Sequence, residues 1–233
     1  MAIHNWLKNL RAIILDMDGV LVDTEPIHMQ AFKIFLEKYN IDSNQEFLIS
    51  MIGHSVEENF KMLIKKYPQF RPTDFKNLID ERNAIYINLI NETSLKPISG
   101  IADLIDYCLN NDLKIGLASS SDQNQIEAIL QSLKNNNEND IDLSAVFNTI
   151  VSGDSVDHKK PAPDIYKKAL KNIKINASSA IAIEDSQSGI SSAKSAGITC
   201  LALKNPYFNI EDIHGQDMIL ETIHDLVELL YEH

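Results

Sequence analysis

Asp16-Met17-Asp18-Gly19 places two carboxylates two residues apart, directly behind the apolar run Ala12–Leu15. In extended backbone residues i and i+2 face the same side, so Asp16 and Asp18 can share a site at the end of a strand. Like charges that close repel unless a cation or an extra proton relieves them, so the pair implies a metal, a shared proton or both. An ordinary polar turn at Gly19 is the alternative that this short motif leaves open. A second acidic pair, Glu184-Asp185, follows the apolar run Ala180–Ile183 and precedes Ser186-Gln187-Ser188-Gly189. Alone it could merely cap the following helix. Joined to the first pair, it supplies oxygen-only ligands for a hard cation, and Mg²⁺ suits such a set because it takes few protein ligands and keeps waters for a phosphate.

Two further clusters could balance an anion. In Lys159-Lys160-Pro161-Ala162-Pro163-Asp164 the prolines restrict the backbone, so a neighbouring lysine is presented from a fixed position. A solvated lysine pair is the alternative. Ser119-Ser120-Ser121 ends the run Lys114–Ala118 and offers hydroxyls and backbone N–H groups where a helix should start, a natural anion site.

These clusters need strand ends to bring them together. Ala12–Leu15, Lys114–Ala118, Thr149–Val151, Ala180–Ile183 and Ile198–Leu203 have the length and β-branched content of buried strands. Helical patterns lie between them, from Asp122 to about Leu133, from Pro163 to about Lys174 and from Ser188 to Ala196, the last closed by Gly197. Such alternation implies an α/β fold with a doubly wound parallel sheet, which gathers ligands at the carboxyl ends of its strands. The alternation fails between about Pro26 and Lys96, where Met29–Tyr39, Glu57–Lys66 and Phe75–Ile90 look helical. The expected organisation is a core of residues 1–24 and 97–233 with a helical domain, residues 25–96, inserted between them. Met218–Tyr231 reads as an amphipathic closing helix, and Lys134–Asp140 as a polar turn.

The 233 residues carry 21 Lys+Arg against 33 Asp+Glu, a formal net charge of −12, so the long-range field repels nucleic acid and anionic membrane. An anionic substrate therefore requires a local cationic device. Only Cys108 and Cys200 are present, too few and too far apart for a disulfide framework or a structural zinc site, and they read as buried thiols. No apolar run approaches the ~18 residues of a membrane span, and the run before Asp16 is too short for a signal peptide. A monomer in the cytoplasm, with no nucleic-acid or membrane partner, is expected.

In their order and spacing these motifs resemble the haloacid dehalogenase superfamily of phosphotransferases, in its β-phosphoglucomutase-like branch with a helical cap inserted after the first strand. The resemblance runs from Asp16 through Pro97–Gly100, Ser119 and Lys160 to Glu184–Gly189. The paired aspartates disfavour the dehalogenases themselves. The resemblance implies that Asp16 is a nucleophile forming an aspartyl phosphate and Asp18 the acid/base. It makes Asp16 and Asp185 Mg²⁺ ligands, with Asp18 adding its backbone carbonyl and Glu184 supporting the shell. Ser119, Ser120 and Lys160 would hold the transferring phosphoryl group. His28 matches a position just inside the cap, near the acid/base.

In the mutase a cap loop carries basic residues that grip a distal phosphate, whereas here Met51–Glu57 has Ile52 and Val56 in those places, around Gly53. Arg82 lies near another phosphate-contacting position and reads either as a partial substitute or as an exposed helix arginine. The expectation is a Mg²⁺-dependent phosphatase for a small phosphorylated metabolite, a phosphate monoester such as a sugar phosphate. A hexose-phosphate mutase and a catalytically silent binding protein are the alternatives.

Overall fold

The computed structural model describes residues 6–42, 44–52, 54–67, 75–135, 142–207 and 210–232. They divide into two compact units, one within Met1–Asp23 and Leu95–His233, the other within Thr24–Ser94.

The first unit is built on six parallel strands: β1 Ala12–Leu15, β2 Lys114–Ala118, β3 Thr149–Val151, β4 Ala180–Glu184, β5 Thr199–Leu203 and β6 Met218–Leu220. Their spatial order is β3-β2-β1-β4-β5-β6, so the chain leaves β1 in one direction and returns on its other side with β4. That reversal opens a crevice at the carboxyl ends of β1 and β4. β1 and β4 are buried at every position, which explains why they read as continuous apolar runs.

Helices cover the sheet. In Asp164–Ile173 the buried residues Ile165, Tyr166, Ala169 and Leu170 recur at helical spacing and join Ala12, Ile14 and Ala182 of the strands in one core cluster. Ile101–Asn110 was not anticipated, although Ile101, Leu104, Ile105 and Cys108 form its buried stripe. Cys108 and Cys200 are buried free thiols. The closing element corrects the expected helix Met218–Tyr231: Met218–Leu220 pairs in parallel with β5, and the helix spans only Ile223–Tyr231, where Thr222 and Asp225 form a capping box. Pairing to the sheet edge overrides the helical periodicity there.

The second unit is helical. It contains α1 Glu25–Lys38, α2 Gln45–Ile49, α3 Val56–Lys66 and α4 Phe75–Glu92. Pro26 fits the first turn of α1, so this helix starts before the expected Met29. Ser55 and Glu58 form the capping box of α3. Phe32, Phe35, Leu36, Phe47, Phe60 and Leu63 make its core. Part of the turn Lys134–Asp140 lies outside the described residues. Among the described residues no helix is long and apolar enough to cross a membrane.

Candidate active site

Register brings the two acidic pairs together. Leu15 lies opposite Ile183, and the Asp16 N–H donates to the Ile183 carbonyl at 3.0 Å, carrying the ladder one residue past β1. Asp16 therefore stands beside Glu184 and Asp185. One carboxylate oxygen from each of the three residues lies within 4.8 Å of the others, and all three residues are buried.

Lys160 answers this charge. Its ammonium is 2.7 Å from Asp16 Oδ1 and 2.6 Å from Glu184 Oε1, and its side chain is only 3% exposed. Lys159 points elsewhere, to an exposed pairing with Asp122 at 2.8 Å. Of the lysine pair, one is thus a surface residue and the other a buried counter-charge. The Tyr166 hydroxyl donates to Glu184 at 2.6 Å, and the Asn205 amide donates to Asp185 at 2.5 Å.

Burial pushes the Glu184 carboxyl up to about 7, with the Asp16 charge adding to the rise and Lys160 and Tyr166 opposing it. Burial also holds Asp185 well above the usual carboxylate range, reinforced by Asp16 and Glu184. Lys160 moves the other way from what burial alone would do: the neighbouring Asp16 and Glu184 outweigh desolvation and hold its ammonium above the ordinary lysine value. Three buried carboxylates against one ammonium leave the cluster short of positive charge. With donors that are all oxygen, the set fits a hard divalent cation.

Asp18 is half-buried and accepts a hydrogen bond from the Ser121 hydroxyl at 3.2 Å. Ser119 is fully buried, and its hydroxyl accepts from the Ser121 N–H at 3.0 Å. Ser120 sits between them, half-buried, with its carbonyl packed where a Cβ on Gly153 would come within 2.2 Å. Asp16, Asp18, the serines, Lys160, Glu184 and Asp185 thus belong to one unit.

Glycines make room for the carboxylates. At Gly189 a Cβ would approach the Glu184 carboxylate to 1.8 Å, and at Gly19, whose φ is +78°, one would approach Asp185 to 1.8 Å. Asn205 and Tyr166 escaped the sequence reading, while Ser121 reads there only as part of an anion site and not as a partner of Asp18. Neither Asn205 nor Tyr166 lies in a dense motif, though Tyr166 follows the lysine-proline loop on a helix face pointing at the sheet.

His28 and Arg82 come together within the helical unit. Arg82 is completely buried rather than exposed on its helix. Its Nη2 lies 2.6 Å from His28 Nδ1 and donates to the His28 carbonyl at 3.1 Å, while Nη1 donates to Asn83 at 3.3 Å. Its guanidinium lies 4.4 Å over the Phe32 ring and 5.1 Å from that of Tyr86. Arginine has no acceptor, so His28 Nδ1 must accept and the ring carries its proton on Nε2. Burial, then the Arg82 charge, lowers the His28 pKa well below the usual 6.5, so the imidazole is neutral. Gly53 lies outside the described residues. Around it, buried Asn59 donates to the carbonyls of Met51 at 3.0 Å and His54 at 3.4 Å, and Ile52 and Val56 are half-buried.

The sequence model of the haloacid dehalogenase-like hydrolases matches residues 13–203. The chain belongs to this family. It is 29% identical to the phosphorylated carbohydrates phosphatase of Thermotoga maritima over 81% of this chain and 82% of the relative. It is 28% identical to the β-phosphoglucomutase of Bacillus subtilis over 96% of this chain and 95% of the relative. A solved structure of a CbbY mutant from Rhodobacter sphaeroides, in complex with xylulose-(1,5)bisphosphate, superposes with a TM-score of 0.79 at 25% identity, covering 93% of this chain and 96% of the other.

Proposed function

We propose that this haloacid dehalogenase-like hydrolase is a Mg²⁺-dependent phosphatase that cleaves a small phosphate monoester, a sugar phosphate by class, through an aspartyl phosphate on Asp16. The observation that carries the reading is the Lys160 ammonium held between Asp16 and Glu184 inside a buried carboxylate trio. A buried ammonium there sets a positive charge against Asp16 and Glu184 and lies where it can neutralise an incoming phosphoryl group.

Asp16, Asp185 and the backbone carbonyl of Asp18 hold Mg²⁺ in this reading, with Glu184 supporting them. When bound, Mg²⁺ supplies charge compensation for the transferring group. An Asp16 carboxylate oxygen attacks phosphorus, the bond from phosphorus to the ester oxygen breaks, and Asp18 gives its proton to the departing alcohol. Water then attacks the acyl phosphate while Asp18 takes its proton, which releases inorganic phosphate and restores Asp16. Ser121 fixes Asp18 through its hydroxyl, and Ser119, Ser120 and Lys160 hold the phosphoryl oxygens. In this reading the helical unit serves as the cap, and the family resemblance assigns His28, Gly53 and Arg82 to substrate recognition.

Mutase activity is the second reading, favoured by the similarity to the Bacillus subtilis β-phosphoglucomutase along nearly the whole chain. Ile52 and Val56 weigh against it. A bisphosphate must be gripped at its far end, and each lost charged hydrogen bond costs about 1.5–3 kcal/mol. A phosphate-release assay over a panel of sugar phosphates, with Mg²⁺ and with and without a hexose bisphosphate, separates them. Steady release without the bisphosphate is expected, and isomerisation with little release overturns the phosphatase reading. A binding protein without chemistry would form no acyl phosphate, which trapping with beryllium fluoride tests.

A further inference from the structure

Beyond β5 the chain makes a turn whose side chains form a continuous relay. Asn205, 9% exposed, donates from Nδ2 to Asp185 Oδ2 at 2.5 Å. Its Oδ1 accepts from the Tyr207 N–H at 2.9 Å, so the amide cannot flip without losing both bonds. The Tyr207 hydroxyl in turn donates to Asp23 Oδ2 at 3.0 Å, at the last residue of the α/β unit before the helical unit begins. The other side of the Asp185–Asn205 contact is closed by Gly19, where a Cβ would come within 2.8 Å of Asn205 Nδ2. The acceptor oxygen of Asp185 is thereby held from two directions, and one of its lone pairs is committed to Asn205.

We propose that Asn205, braced by Tyr207, is a positioning residue for the divalent cation: it fixes the rotamer of Asp185 so that the remaining lone pairs face Asp16 and the cation. This rests on the reading of Asp185 as a cation ligand. Outer-shell partners of this kind change metal affinity by roughly 10–100-fold when lost. The relay also ties the same turn to Asp23, so the cation ligand and the exit from the α/β unit are anchored by one short segment.

The test is calorimetric titration with Mg²⁺ alone of the full-length wild type, Asn205→Ala, Asn205→Leu and Tyr207→Phe, alongside Mg²⁺ activation curves on the best ester. Both Asn205 variants should bind Mg²⁺ about tenfold or more weakly. The Mg²⁺ needed for half-activation should rise in parallel, while KM for the ester at saturating Mg²⁺ stays within about twofold. Tyr207→Phe keeps the ring and the backbone N–H that Asn205 accepts from but frees the turn from Asp23, and this loss of one hydrogen bond from the brace should weaken Mg²⁺ binding by roughly two- to fivefold. Wild-type affinity in both Asn205 variants overturns the inference. Should melting without metal show that neither Asn205 variant folds, Tyr207→Phe decides, and unchanged affinity there overturns it. A wild type that neither binds nor needs Mg²⁺ defeats the reading of the site itself, and does so before any variant is compared.

Discussion

At the ends of β1 and β4, three carboxylates close around one ammonium, whereas in the helical unit a guanidinium is held by an imidazole, an amide and two aromatic rings. Both clusters bury charge, by opposite means. A carboxylate is strongly hydrated, so packing three together is tolerable only with cations supplied, and the raised pKa of Glu184 and Asp185 registers the shortfall. A guanidinium is weakly hydrated and lies comfortably against ring faces and neutral acceptors. The first arrangement fits a divalent cation, while in the second both terminal guanidinium nitrogens are met by groups of the helical unit itself.

The largest break in the comparison is at Asp16. Asp16→Asn keeps the shape of the carboxylate cluster and, on the proposed mechanism, removes the nucleophile, so turnover should fall by roughly 10⁴-fold or more. Steady-state phosphate release checks this, and a variant with most of its activity removes Asp16 from the reaction. Next is Lys160→Met, which leaves Asp16 and Glu184 facing each other. Breaking a buried pair from one side costs about 3–5 kcal/mol, and added Mg²⁺ should recover part of it. Urea unfolding with and without Mg²⁺ measures both terms; a loss under about 1 kcal/mol would mean that the ammonium contributes little there.

The two clusters also differed in how legible they were. Strand geometry translates directly from sequence: Asp16 and Glu184 each follow a buried apolar run, and parallel register with β4 next to β1 makes them neighbours. Five of the six described strands, the gathering of chemistry at their carboxyl ends and the family could therefore be read from short motifs. Residue type and spacing alone do not separate Lys159 from Lys160, because which one turns inward depends on the loop's path; only the family resemblance singles out Lys160. The helical cluster joins His28 to Arg82 across 54 positions, and nothing in either local pattern announces the contact. Arg82 looked like a solvated helix residue because arginine usually is one. Met218–Leu220 misled for a related reason: three residues satisfy a helical stripe and a strand equally well, and the edge of the sheet decides.

Arg82→Met sharpens the contrast. Methionine retains much of the packing against Phe32 and Tyr86 but loses the hydrogen bonds and the cation–π contact, so the expected loss is about 1–3 kcal/mol, less than for Lys160→Met. Mg²⁺ should leave that loss unchanged, because the hydrogen bonds and ring contacts removed at Arg82 are made within the helical unit and involve none of the three clustered carboxylates. Urea unfolding in the two conditions is again the measurement. A Mg²⁺-dependent loss would show that the clusters are energetically linked.

The smallest effect is one of pH. His28 in the folded protein is neutral because burial and Arg82 disfavour its charge, while in the unfolded chain it titrates near 6.5. Below that value the unfolded chain binds a proton that the folded protein does not, so stability falls as the pH drops and the contribution is complete above it. Between pH 7.5 and 5.5 the loss from this residue is up to about 1.4 kcal/mol. Acidic groups titrate over a neighbouring range, so the comparison must be with His28→Gln, whose amide can still accept from Arg82 without gaining a proton. The wild type should lose stability relative to that variant as pH falls through 6.5, by thermal unfolding at fixed salt. A difference that stays constant across the range would mean that His28 takes up its proton in the fold, and that Arg82 does not hold the imidazole neutral.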